Sequence, residues 1–199
     1  MSESSTDWDT LAARIRGCTA CSELASARTT VVVGSHPDLR ATVMLVGEAP
    51  GANEDESGIP FVGRAGQLLD ELLAEAEMPR NTVAVANVLK CRPPKNRKPS
   101  RSEVANCRSW LTAQLAIADP AIVVALGGTA VEWFFGAGAK IGVLRGRFHE
   151  IGGRQVLPTY HPSAAIRFGP LGMPRAALRE DLVLAAVRSA QLAATKGVR

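Results

Sequence analysis

Val43-Met44-Leu45-Val46-Gly47-Glu48-Ala49-Pro50-Gly51 decides the fold. Four apolar residues in a row, with no polar alternation, read as a strand buried on both faces. The Gly/Pro turn that follows stops it. Beyond the turn, Ala65 to Glu77 places Leu68, Leu69, Leu72 and Leu73 on one helical face. The same alternation runs on down the chain. Val83 to Leu89 predicts a second strand. Arg101 to Ala118 predicts a helix capped near Ser100 or Ser102. Ile122 to Leu126 predicts a third strand, stopped by Gly127-Gly128, and Thr129 to Phe135 a short helix. A hairpin is expected around 143–152, a last strand over Gln155 to Thr159, and a closing helix over Met173 to Ala194. Upstream, residues 8–26 read as a helix broken around a cysteine pair.

Strands alternating with helices predict a three-layer α/β/α sandwich around a mostly parallel four-stranded sheet. The chain of 199 residues suits one domain, with residues 1–10 and 195–199 expected to be flexible. Such sheets bind ligands at the carboxyl ends of their strands. The residues expected there are Glu48, Asn87, the Gly127-Gly128 pair and His161: a carboxylate, an amide and an imidazole on one edge. The segment from Gly47 to Gly66 is a glycine-rich connection of about twenty residues, a length that usually carries function. It lacks the G-K-[ST] ending and the G-x-G-x-x-G spacing of phosphate loops. In Tyr160-His161-Pro162-Ser163, a histidine at a strand end is fixed by the following proline, which suits a hydrogen-bond donor that must hold still.

The four cysteines form a second pattern. Cys18 and Cys21 make a C-x2-C pair, and Cys91 and Cys107 each stand beside basic residues. Four thiolates satisfy one tetrahedral ion or one cubane cluster, and the cysteines alone leave zinc and iron–sulfur both open. Disulfides need an oxidising compartment. The opening MSESSTDWDT has neither the basic n-region nor the apolar h-region of a secretory signal, so a cytoplasmic, metal-binding protein is expected. No apolar run reaches membrane-spanning length.

The net charge of +4 permits a polyanionic partner without requiring one. Its distribution is more specific. KCRPPKNRKPSR, residues 90–101, carries six cations, no acid and three prolines. The prolines rule out a regular helix. A basic run alone is usually a solvated loop; between two candidate metal ligands, phosphate contact is the expected role.

Taken together, GEAPG at 47–51, Glu54-Asp55, GIPFVGRAGQLL at 58–69, NVLKCRPPKNR at 87–97 and His161-Pro162-Ser163 resemble the uracil-DNA glycosylase superfamily, specifically its family 4 iron–sulfur branch. The resemblance runs from Cys18 to about Arg167. It implies a monofunctional DNA repair glycosylase that hydrolyses the N-glycosidic bond of deoxyuridine, releases uracil and leaves an abasic site. It also implies a 4Fe–4S cluster on Cys18, Cys21, Cys91 and Cys107. Phe61 matches the family's stacking aromatic, Asn87 its edge reader, and His161 the group that bonds the uracil O2 as charge develops. Gly47 and Ala49 would line the uracil pocket through their backbone. Better-known families carry Asp or Asn at the position of Ala49. Here Glu48 is the expected carboxylate, for sugar-cation stabilisation or water positioning, with Glu54 as partner or substitute; Asp55 reads almost equally as a solvated loop acid. Lys90, Arg92, Lys95, Asn96, Arg97 and Ser163 are expected against DNA, with Ile166 and Arg167 where relatives place an apolar wedge.

The protein is expected to act as a monomer on uracil-containing DNA, single- or double-stranded. Other readings differ in class. A non-catalytic iron–sulfur or zinc module for nucleic acid would not need the pocket residues together, and neither would an electron-transfer protein. A covalent uracil-DNA binder traps its substrate through a histidine in the basic insert, and no histidine lies between residues 87 and 107.

Overall fold

Apolar strands without polar alternation need cover on both faces, and the structure supplies it. The computed structural model describes residues 3–36 and 41–196. In chain order its helices and strands are α1 (Glu3–Arg16), α2 (Ser22–Ala27), β1 (Val43–Gly47), α3 (Ala52–Ser57), α4 (Arg64–Glu75), β2 (Ala84–Asn87), α5 (Arg101–Ala118), β3 (Ile122–Leu126), α6 (Gly128–Phe135), α7 (Ile141–Leu144), β4 (His149–Ile151), β5 (Arg154–Thr159), α8 (Pro162–Phe168) and α9 (Met173–Lys196). The strands form one sheet in the order β2-β1-β3-β5-β4. All neighbours pair parallel except β4, which runs antiparallel to β5 at the edge. Every residue of β1, β2 and β3 is buried.

Successive strand residues point to opposite faces. Met44, Val46, Ala84, Ala86, Val123 and Ala125 pack with residues of α1, α2, α5 and α6. Val43, Leu45, Val85, Ile122, Val124, Leu126 and Leu157 pack with Leu68, Leu69, Leu72 and Leu73 of α4 and with Leu178 and Leu182 of α9. The sandwich is therefore three-layered, as expected. Among the described residues no helix is long and apolar enough to cross a membrane.

The structure corrects the expected layout in several places. The sheet has five strands, not four. The hairpin expected at 143–152 lies further on, between β4 and β5, and it turns through Gly152 and Gly153 at φ +58° and +75°. Residues 141–144, partly assigned to that hairpin, are helical instead. The long glycine-rich connection contains α3, whose sequence ANEDES has no apolar face to announce it. After His161 the chain is helical as well: Pro162 occupies the first helical position, where its missing N–H costs nothing. Residues 3–10 belong to α1, and 195 and 196 to α9. Residues 1, 2 and 197–199 lie outside the described residues. Ser100, not Ser102, caps α5: its hydroxyl accepts from the Glu103 N–H at 3.2 Å, and the Glu103 carboxylate accepts from the Ser100 N–H at 2.7 Å.

Candidate active site

The strand order reverses between β1 and β3, where a crevice is expected above the carboxyl ends. A cavity of about 400 Å³ opens there, lined by Glu48, Phe61, Asn87, His161 and Arg167, among others. The four pocket residues expected from the sequence are thus brought together.

Asn87 ends β2 beside Gly47, its register partner on β1. Beyond the strand, Val88 N–H donates to Gly47 C=O at 2.9 Å and Leu89 N–H to Glu48 C=O at 3.0 Å, so the two chain ends leave the sheet as a pair. A Cβ on Gly47 would lie 2.4 Å from Asn87 Oδ1 and 2.5 Å from Phe61 Cζ. Only glycine leaves room for both side chains. The Asn87 Oδ1 atom is buried and has no hydrogen-bond partner. An unpaired buried amide oxygen costs about 1–3 kcal/mol, and in a cavity wall it is a receptor for a donor still to arrive.

Phe61 holds φ +55°, a conformation that costs a non-glycine residue about 1–3 kcal/mol. Its surroundings enforce it. Gly66 packs so tightly that a Cβ there would fall 1.8 Å from the Phe61 carbonyl oxygen. Arg80 donates to Pro60 C=O at 2.6 Å and sits 6.0 Å from the Phe61 ring centre. The ring lies 5.7 Å from that of His161, at 32° between planes.

His161 caps α8. Its Nδ1 accepts from the Ser163 N–H at 3.1 Å and lies 2.8 Å from the Ser163 hydroxyl. A backbone N–H can only donate, so Nδ1 is the unprotonated nitrogen and the neutral ring carries its hydrogen on Nε2. Burial pushes the imidazole down to about 4, against an opposing pull from the Glu54 carboxylate. Gly127, at φ +89°, lets the ring in: a Cβ there would lie 2.9 Å from His161 Cβ. The sign follows from the direction of the shift. The unfolded imidazole takes its proton near 6.5 and the folded one near 4, so this group's contribution to stability is complete above the unfolded value and is lost as pH falls toward the folded one. An NMR titration should show the His161 ring neutral from pH 8 to pH 5; protonation near pH 6.5 would mean the ring is solvated.

Glu48 follows β1, and its carboxylate accepts a short hydrogen bond from the buried Thr129 hydroxyl on α6. Thr129 was not singled out in the sequence, although it directly follows the glycine pair that ends β3. Glu54 is held by the backbone of its own connection. Its Oε1 accepts from Val62 N–H at 2.9 Å and Gly63 N–H at 2.8 Å, and its Oε2 from Gly51 N–H at 3.0 Å. The carboxylate lines the cavity but is engaged in folding the connection over it. Asp55 is no solvated acid: it is buried and accepts from the Thr29 and Thr30 backbone N–H groups.

The basic segment divides. Lys90 does not face DNA: it is 1% exposed, and its ammonium donates to Asn87 C=O at 2.6 Å. Arg97 lines the cavity but forms a two-pronged pair with Glu103, at 2.9 and 2.7 Å, and also reaches Glu23. That pairing holds the Glu103 carboxyl down to about 2. Arg92 bonds the Asn96 side chain at 2.7 Å, bracing a tight turn in which Lys95 and Asn96 take φ +55° and +54°. Asn96, Ser163 and Arg167 are exposed around the cavity mouth, and Lys95 is exposed in the same turn as Asn96. Ile166 is partly buried against the core under α8 and does not project. Just beyond it Phe168, Leu171 and Met173 are exposed, Leu171 at 99%.

On the other side of residues 87–91, Cys18, Cys21, Cys91 and Cys107 line one cavity, and none is in a disulfide. Three sulfurs receive N–H donors that the sequence did not signal: Arg28 to Cys91 at 3.0 Å, Trp110 to Cys18 at 3.4 Å and Asn106 to Cys21 at 3.6 Å. Arg28 also donates to Cys18 C=O at 2.8 Å, joining the two ends of the pattern. Burial pushes the Cys107 thiol up to about 11 and raises that of Cys91.

The sheet, the crevice and the pocket residues define a class that the comparisons identify. The uracil DNA glycosylase superfamily model matches residues 33–182, and the chain belongs to that superfamily. Within it, the chain groups with the Type-4 enzymes. It is 48% identical over 157 residues to the Type-4 uracil-DNA glycosylase of Thermotoga maritima, covering 77% of this chain and 80% of that one. The Type-4 enzyme of Pyrobaculum aerophilum is 42% identical over 85% of this chain and 88% of its own. That of Saccharolobus solfataricus is 39% identical, over 87% and 82% respectively.

Proposed function

We propose that the protein removes uracil from DNA by hydrolysing its N-glycosidic bond, with Asn87, Phe61, His161 and Glu48 as the working residues. The observation that carries this is the buried, unpartnered Asn87 Oδ1 in a cavity shared with a neutral histidine and a carboxylate. A flipped uracil presents N3–H to that oxygen and O4 to the amide's N–H. Cytosine presents an acceptor and a donor in the reverse order, leaving both groups of the amide unpaired, which is the strongest kind of rejection. Phe61 supplies the stacking face. His161 Nε2–H meets O2, where negative charge grows as the base departs. Glu48, held by Thr129, faces the positive charge developing on the sugar or orients the attacking water. Glu54 acts as the brace of the loop and not as a second reacting carboxylate.

The four cysteines fit a 4Fe–4S cluster. Four sulfurs lining one cavity, three of them receiving N–H donors, match the ligand count and the hydrogen bonding of a cubane. The cluster would tie α2, α5 and the segment after β2 to one point; glycosidic hydrolysis itself transfers no electrons. Four cysteines outside disulfides accord with a reducing, cytoplasmic setting.

Because Ile166 is packed down, we assign the insertion role to Leu171. Leu171→Ala should slow release from duplex DNA about tenfold and leave single-stranded substrate unchanged, since only the duplex must be opened. Equal losses on both substrates would remove Leu171 from that role. The reading as a whole is tested by release of free uracil from a uracil-containing oligonucleotide; binding without release would favour a non-catalytic module.

A further inference from the structure

Lys90 is among the largest fully buried side chains of the protein. Its ammonium has one hydrogen-bond acceptor in the structure, the Asn87 carbonyl oxygen at 2.6 Å. Among the described residues no carboxylate forms an ion pair with it. A buried ammonium costs several kcal/mol unless an anion faces it. What does face it is the cysteine cavity, of which Lys90 is itself a lining residue. Lys90 directly precedes Cys91 in the chain, and both line that cavity with Cys18, Cys21 and Cys107. A cubane held by four thiolates carries net negative charge and would supply the missing anion.

The other end of the contact is as specific. The acceptor belongs to the residue whose side chain reads the base. Holding the Asn87 carbonyl fixes the peptide that leaves β2, and the next two N–H groups are already held by Gly47 and Glu48. Lys90 thus links the two cavities: it lines the one with the cysteines, and its ammonium bonds the carbonyl of Asn87, which lines the other.

We infer that Lys90 is the internal countercation of the cluster and a positioning residue for Asn87, so that cluster occupancy sets the aim of the base-reading amide. This rests on the uracil-excision reading above, and two readouts keep the two apart. Lys90→Met keeps length and burial but removes charge and donor; Lys90→Gln removes the charge and keeps an N–H donor. The wild-type protein and both variants are purified with their clusters, assayed for iron and sulfide, and titrated for reduction potential. Both variants should show a more negative potential and faster bleaching in air, because a positive charge near the cluster is gone. On uracil-containing oligonucleotides, Lys90→Met should lose about tenfold in kcat/KM, mostly through KM, while Lys90→Gln keeps most of it. Unchanged potential and bleaching in iron-loaded variants would overturn the inference and leave the excision reading intact, and so would equal KM values for Lys90→Met and wild type. Wild-type protein that releases uracil but holds no iron would overturn it too. Should Lys90→Met fail to fold, the potential of Lys90→Gln decides the countercation point, and the KM of Lys90→Leu, which also lacks a donor, decides the positioning one.

Discussion

His161→Ala will release uracil about a hundredfold to a thousandfold more slowly than the unaltered chain, with fold and visible absorbance unchanged. The size follows from the role: removing one pre-aimed donor to a developing anion costs about 2.7–4 kcal/mol of transition-state stabilisation. The pre-aiming is visible in the hydrogen bonds. Ser163 N–H occupies Nδ1, so the proton of the neutral ring points from Nε2. Burial keeps the ring neutral well below neutral pH, with its proton-binding value down to about 4. The loss should therefore appear in kcat, since the bond strengthens as charge reaches O2. A loss confined to KM would make His161 a binding group only.

Glu48→Gln should cost about a hundredfold to ten-thousandfold, the range for a carboxylate acting on a proton or charge in the transition state. The substitution keeps the volume and an oxygen for the Thr129 hydroxyl, and removes the charge alone. Thr129→Val tests the same arrangement at one remove. It frees the carboxylate to rotate and should lower kcat about tenfold without altering the fold. Near-normal turnover by Glu48→Gln would shift the reacting carboxylate to Glu54, whose oxygens would then have to abandon three backbone N–H groups.

The sheet and the pocket were legible for a physical reason. Strands buried on both faces leave uninterrupted apolar runs, and the residues that end them must lie at the carboxyl edge. Glu48, Asn87 and His161 carry that signal; Phe61, in the connection between α3 and α4, is marked only by the family resemblance of GIPFVGRAGQLL. What escaped lacks any such periodicity. α3 is held by the Glu54 carboxylate and carries no apolar face. Thr129, Arg28, Asn106 and Trp110 act through contacts between residues far apart in the chain. Lys90 shows the limit most clearly. A lysine in a basic run reads as solvated, and only the third dimension turned it inward, away from phosphate and toward Asn87. Asp55 was misread the same way, for its partners are backbone groups of Thr29 and Thr30.

The pairing of Arg97 with Glu103 and Glu23 bears on how the protein behaves as ionic strength rises. Each phosphate neutralised by a free cation releases a condensed counterion, and the logarithm of affinity falls with the logarithm of salt in proportion to that number. With one lysine interred and one arginine already matched by acids, the basic run displaces fewer counterions than its composition advertises. Affinity for nonspecific polyanion should decline gently as salt is added, leaving most of the discrimination between substrates to the pocket.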